Sequence, residues 1–235
     1  MGSWMQLPNA SVAEIMGKAG YDWIVVDLEH GSFNIETLVN VNRAIELGGA
    51  APFVRLPNID PKTIKDSLEA GARGLIFPMV ESLEQLENAI NWSLYPPLGT
   101  RGVGYSRANL FGKQFDEYYQ NSSELVFVAQ IEHINAVKNL GSILTAKHLD
   151  AIIVGPYDLS ASMNLTAQFD HPEFKAAIES IKSQAVANNI PLGMHVVQPD
   201  SSELQSKIDE GYQFIAYSLD AVFLYQSAQI PEGVG

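Results

Sequence analysis

The stretch KAGYDWIVVDLEHGSF (residues 18–33) holds the end of one element and the whole of another. Gly20 stands where a helix would close, since glycine accepts the left-handed conformation of a helix C-terminus. Trp23–Val26 follow as an unbroken apolar run, short for a helix and rich in β-formers. The run stops abruptly at Asp27, Glu29 and His30. The same glycine junction recurs in EAGARG (69–74) and DEGYQF (209–214). The chain therefore repeats a helix-to-strand unit.

Outward from this unit the pattern continues. Apolar runs occur at WIVVD (23–27), APFVR (51–55), GLIFP (74–78), LVFVAQIE (125–132), DAIIVGPYD (150–158), IPLGMHV (190–196) and QFIAYSLD (213–220), with GSWMQ (2–6) as a candidate eighth. Near-continuous apolar strands belong to parallel sheets covered on both faces. Between them lie amphipathic stretches such as IETLVNVNRAIELGG, PKTIKDSLEAGA and PEFKAAIESIKSQAVANN. Eight such units closing on themselves predict a (β/α)8 TIM barrel, a single domain over residues 1–235. An open doubly wound sheet is the alternative, but no G-x-G-x-x-G turn follows an early strand. The Pro/Gly-rich segment YPPLGTRGVGYSRANLFG (95–112) is read as a functional loop rather than a domain boundary.

Composition narrows the function. The formal charge of -13 makes phosphate backbones poor partners, so no nucleic acid is expected. No apolar run approaches the roughly 20 residues of a membrane span, and the N-terminus lacks a signal-peptide pattern. A soluble cytoplasmic protein is expected. The absence of Cys excludes disulfides, zinc–thiolate sites and a thiol nucleophile.

In a barrel, the residues at the C-terminal ends of the strands form the active site. Here they are Asp27, Glu29 and His30, then Arg55, Gln130 with Glu132, Gly155-Pro156-Tyr157-Asp158, and His195. Gln130 and Glu132 lie two apart and share one side of their strand, leaving Phe127, Ala129 and Ile131 toward the helices. An unpaired carboxylate at Glu132 is unfavourable in a barrel mouth, and a hard divalent cation shared with Asp158 would relieve it. Pairing of Glu132 with Arg55 or Arg101 would do the same, and spacing leaves both open. His133 should point away, His148 sits in a loop, and His171 should start a helix with Asp170 as a cap. His195 either lines the pocket or is a satisfied core histidine.

Six stretches, in order over almost the whole chain, resemble the HpcH/HpaI aldolase family: AGYDWIVVDLEHGSF, PFVRLPN, LEAGARGLIFPMVES, YPPLGTRGVG, VAQIEHINAVKNL and AIIVGPYDLSASM. The most specific is GPYDLS placed after QIE. The resemblance implies a metal-dependent aldolase that cleaves a 2-keto-3-deoxy sugar acid or 4-hydroxy-2-oxo acid to pyruvate and an aldehyde. It implies His30 as catalytic base, Arg55 as stabiliser of the enolate oxygen, and Glu132 and Asp158 as ligands of Mg²⁺, Mn²⁺ or Co²⁺. Substrate contacts would come from Gln130, Gly155, Pro156, Tyr157 and Asp158. Glu69 stands where relatives have an aspartate that raises the basicity of the histidine. Tyr105 stands in the loop 99–112, where relatives have a smaller residue beside the aldehyde pocket. Asp27 and Glu29 would orient His30 or metal-bound waters, or simply form the turn. The resemblance also implies a homo-oligomer, a hexamer built by exchange of the C-terminal part. The brief stretch after Asp220 and a start almost on the first strand admit a trimer or dimer instead.

Three other readings are weaker. A Schiff-base aldolase needs a barrel lysine, and no strand run contains one. A phosphate-binding barrel wants a glycine-rich nest after the last strands, which YSLDAVF does not offer. A non-catalytic barrel binding a small keto acid would differ from the enzyme in lacking metal-dependent turnover.

Overall fold

The computed structural model describes residues 1–230. Eight parallel strands close into a barrel in chain order: β1 (Gly2–Met5), β2 (Trp23–Asp27), β3 (Ala51–Arg55), β4 (Gly74–Phe77), β5 (Val126–Ile131), β6 (Ala151–Val154), β7 (Leu192–Val196) and β8 (Phe214–Leu219). The expected eighth strand at the N-terminus is β1, and it closes the ring against β8. That closure carries a register shift, with Gly2 beside Ala216 but Trp4 beside Leu219. Ser218, at φ 51°, absorbs the extra residue. Such bulges re-aim nearby groups.

Alternation along the strands sorts side chains into two layers. Trp4, Val25, Phe53, Ile76, Val128 and Ile153 fill the barrel interior. Ile24, Val26, Val54, Phe77, Phe127, Ala129 and Ile131 pack outward against the helices. The floor of the barrel is aromatic: Trp23 stacks on Phe214 at 4.3 Å and on Phe53 at 5.7 Å. Neighbouring glycines make room for these rings. A Cβ at Gly2 would come within 2.1 Å of the Trp23 ring, and one at Gly74 within 2.8 Å of Phe53.

The first four helices start on polar caps. They are α1 (Ala10–Lys18) on Asn9, α2 (Ile35–Gly48) on Asn34, α3 (Pro61–Glu69) on Asp60 and α4 (Leu83–Ser93) on Ser82. Next come α5 (Phe115–Gln120), α6 (Ile134–Ile143), α7 (Pro156–Ser162), α8 (Pro172–Ala187), α9 (Ser201–Asp209) and α10 (Asp220–Ser227). The side chains of Asn9, Asn34, Asp60 and Ser82 accept amides that the first helical turn leaves free. One expectation is corrected here. The cap of α8 is His171 itself, whose Nδ1 accepts from the Glu173 amide, while Asp170 turns outward to Lys175 at 2.8 Å. The junction glycines Gly20, Gly71 and Gly211 all have φ between 92° and 99°, as the repeated motif requires.

Segment 95–125 joins the end of α4 to the start of β5. It therefore lies at the N-terminal face of the barrel. Arg101 is buried there between Tyr95 and Tyr118, 4.6 and 5.5 Å from their rings. Arg107 pairs with Glu46 and covers Gly71. Among the described residues, no helix is long and apolar enough to cross a membrane.

Candidate active site

The turn after β2 is built around one carboxylate. Asp27 is fully buried and accepts the amides of Glu29 and His30 at 3.1 and 3.2 Å. It also accepts Nε2 of Gln6 at 2.9 Å, and Nε and Nη2 of Arg55 at 2.9 and 2.7 Å. Strands β2 and β3 pair with Asp27 beside Arg55, so the register itself delivers the guanidinium. Burial pushes the Asp27 carboxyl up, and Arg55 more than offsets this, leaving it below its ordinary value. The remaining Arg55 nitrogen, Nη1, reaches Glu29 at 2.7 Å. Asp27 thus orients His30 through the backbone and Arg55 through its side chain.

Across the mouth, Glu132 follows β5 and is 1% exposed. Its oxygens accept the Met79 amide at 2.7 Å and Gln130 Nε2 at 2.5 Å. Neither arginine named as an alternative pairs with it: Arg55 is held by Asp27 and Glu29, and Arg101 lies at the opposite face. Burial, with Glu29 and Asp158 nearby, pushes the Glu132 carboxyl up to about 7. Gln130 Oε1 is buried with no partner among the described residues. A buried carboxylate without a cation, a second carboxylate close by and an orphaned amide oxygen make a donor set that fits a hard divalent ion. Among the described residues, no three His, Cys, Asp or Glu side chains are placed to hold one metal ion by themselves. Glu132 and Asp158 would leave the other coordination positions to water and substrate.

Gly155, between β6 and α7, completes this corner. A Cβ there would come within 2.7 Å of Glu132 Oε2 and 2.8 Å of its Cβ. Only glycine lets the strand end lie over the buried carboxylate. GPYDLS then begins α7 directly, putting Asp158 in the first helical turn.

His30, Arg55, Gln130, Gly155, Pro156, Tyr157 and Asp158 line one cavity of about 560 Å³, with Glu132 behind its wall. Of the nine residues expected at the site, Glu69 alone lies elsewhere. It ends α3 at the N-terminal face, 3.8 Å from Lys65, in a small recess with Ile35, Arg107 and Phe111. The loop 99–112, with Tyr105, is at that same face. The cavity also takes in residues that sequence reading missed: Trp4, Gln6, Val197, Leu219 and Val222. Trp4 and Gln6 carried a signal, since they sit at the end of the candidate first strand. His195, left open above, does line the cavity; it stacks on Trp4 at 5.0 Å. Asp220 accepts the amides of Gln6 and Leu7, each at 2.9 Å, and pins the end of β1.

A closed parallel barrel with carboxylates, a guanidinium and an imidazole gathered around one mouth has the layout of a barrel enzyme that acts on a small molecule. The family follows from comparison. The chain belongs to the HpcH/HpaI aldolase/citrate lyase family, whose model matches residues 1–226. It is 35% identical over 221 residues to a 5-keto-4-deoxy-D-glucarate aldolase of Escherichia fergusonii, covering 94% of this chain and 86% of the relative. A crystal structure of a family member from Burkholderia cenocepacia superimposes with a TM-score of 0.90 at 30% identity, over 96% of this chain and 90% of that one. An HpcH/HpaI aldolase from Desulfitobacterium hafniense gives 0.85 at 26%, over 98% and 94%. These relatives support a carbon–carbon lyase of the aldolase type.

Proposed function

We propose that the protein is a divalent-metal-dependent aldolase that cleaves a 2-keto-3-deoxy sugar acid or 4-hydroxy-2-oxo acid to pyruvate and an aldehyde. The observation that carries this reading is Glu132, a buried carboxylate with no cationic partner at the mouth of the barrel. With Asp158 it would hold Mg²⁺, Mn²⁺ or Co²⁺, which when bound supplies Lewis-acid polarisation of the substrate keto oxygen. Gln130 and the uncapped first turn of α7, at Tyr157 and Asp158, receive the substrate carboxylate. His30, fixed through its amide by Asp27, takes the proton from the substrate hydroxyl as the carbon–carbon bond breaks. The electron pair left on the pyruvate fragment is delocalised onto the former keto oxygen. Arg55, already oriented by Asp27 and Glu29, stabilises that charge. Protonation at carbon gives pyruvate.

Glu69 and the loop 99–112 can take part only if a second copy brings its N-terminal face to this mouth. Their common location supports a homo-oligomer with sites shared between subunits, a hexamer or a smaller ring.

The test is proton exchange. Metal-loaded protein is incubated with pyruvate in D2O and loss of the methyl signal is followed by NMR, with EDTA and with His30→Ala and Glu132→Ala. Exchange that requires metal and Glu132 is the expected result. No exchange with any divalent metal, from folded protein, would sink the aldolase reading in favour of a keto-acid-binding barrel.

A further inference from the structure

His195 is unused by the chemistry above, yet it is held in a defined state. It is on the inward side of β7, stacked on Trp4 with the planes 15° apart, and the Arg55 guanidinium lies 5.3 Å from the same Trp4 ring. Its Nε2 meets the Ser218 carbonyl at 3.1 Å. A carbonyl only accepts, so Nε2 carries the hydrogen. The Ser218 bulge in β8 aims that carbonyl. Burial, reinforced by Arg55, lowers the imidazole to about 4 and keeps it neutral. Nδ1 is therefore a bare acceptor. Among the described residues no group meets it, and it is not among the buried orphan atoms, so it opens to the cavity.

The surrounding wall repeats this character. Gln6 must turn Nε2 to the Asp27 carboxylate, which leaves its Oε1 as a second acceptor. Val197, Leu219 and Val222 beside them are apolar. The nearby cation, Arg55, is held by Asp27 and Glu29 and is assigned above to the enolate oxygen, so it does not serve the tail of the substrate. Acceptors on an apolar wall suit hydroxyl donors and disfavour a carboxylate or phosphate. A second cavity of about 590 Å³, between α8 and α9, shares Pro156, Tyr157, His195 and Val197 with the first.

We infer that His195 is a specificity-determining residue, whose Nδ1 accepts a hydrogen bond from a hydroxyl on the aldehyde-derived half of the substrate. The substrate class is then a polyhydroxylated keto acid rather than one with a bare alkyl tail. This inference rests on the aldolase reading. The test is the ratio of kcat/KM for glyceraldehyde to that for propionaldehyde in metal-dependent addition to pyruvate. Both aldehydes have three carbons and only the first carries hydroxyls. Wild type is expected to favour glyceraldehyde. His195→Phe, which keeps a ring on Trp4 but removes the acceptor, should lower the ratio about tenfold, the worth of one good hydrogen bond. His195→Gln, which restores an acceptor, should recover much of it. A wild-type ratio near one, a ratio unmoved in both variants, or equal losses on both aldehydes would overturn the assignment while leaving the aldolase intact. Wild-type protein that fails to exchange pyruvate protons overturns both.

Discussion

At the scale of single residues, Asp27 answers the puzzle of its own stretch of sequence. Asp27, expected to orient His30 or to form the turn, holds the His30 amide and the Arg55 guanidinium. Because Arg55 and Asp27 are a buried pair, Asp27→Ala should destabilise the protein by about 3–5 kcal/mol in urea unfolding. Glu132 behaves oppositely. Its carboxylate lacks a cation, so Glu132→Gln should raise the stability of metal-free protein at pH 8 by about 1 kcal/mol or more and abolish any rise in Tm on adding Mg²⁺. His195 sets a pH dependence. Its folded value, about 4, lies below the ordinary 6.5, so below 6.5 the unfolded chain takes up a proton that the folded one refuses. Stability should fall as pH drops from 6.5 to about 4, and less steeply in His195→Phe, as urea titrations at pH 5 and 7.5 would show. The polar ends of the strands were legible because they interrupt apolar runs. The tautomer and partner of His195 were not, since they depend on a bulge in a strand that is distant in sequence.

At the scale of elements, the strands and the longer helices were readable from short apolar runs, helical periodicity and the glycines that close helices. Three parts were not. The helix α7 hides in GPYDLS, where a strand passes into a helix with no polar spacer. The helix α10 is eight residues without a side-chain cap, and α5 with its flanking turns lies in a Pro/Gly-rich segment. These rest on tertiary contacts more than on local preference. The β6–α7 junction makes its own prediction. Gly155→Ala places a methyl against Glu132 and should weaken Mg²⁺ or Mn²⁺ binding by about tenfold or more in calorimetric titration, in line with other disturbances around metal ligands.

At the scale of the whole molecule, the placement of Glu69 matters most. EAGARG reads as a helix ending before a strand, and in a barrel that junction belongs to the N-terminal face. The sequence therefore already held the sign that Glu69 and His30 of one chain sit at opposite ends; motif resemblance alone does not carry that direction. If sites are shared between copies, His30→Ala and Glu69→Ala proteins should each be weakly active, and co-refolded mixtures should regain a substantial part of the wild-type rate. Mixtures no better than the average of the two would place Glu69 outside catalysis.

The Asp27 anchor also bears on how this scaffold could change its tastes. One carboxylate ties the ends of β1, β2 and β3 to the His30 amide and the Arg55 guanidinium, so replacements at Gln6, Asp27 or Arg55 disturb each other. The wall at His195, Val197 and Val222 hangs from β7 and α10. Libraries confined to those three positions should yield active variants with new aldehyde preferences, whereas libraries at the other three should be nearly barren.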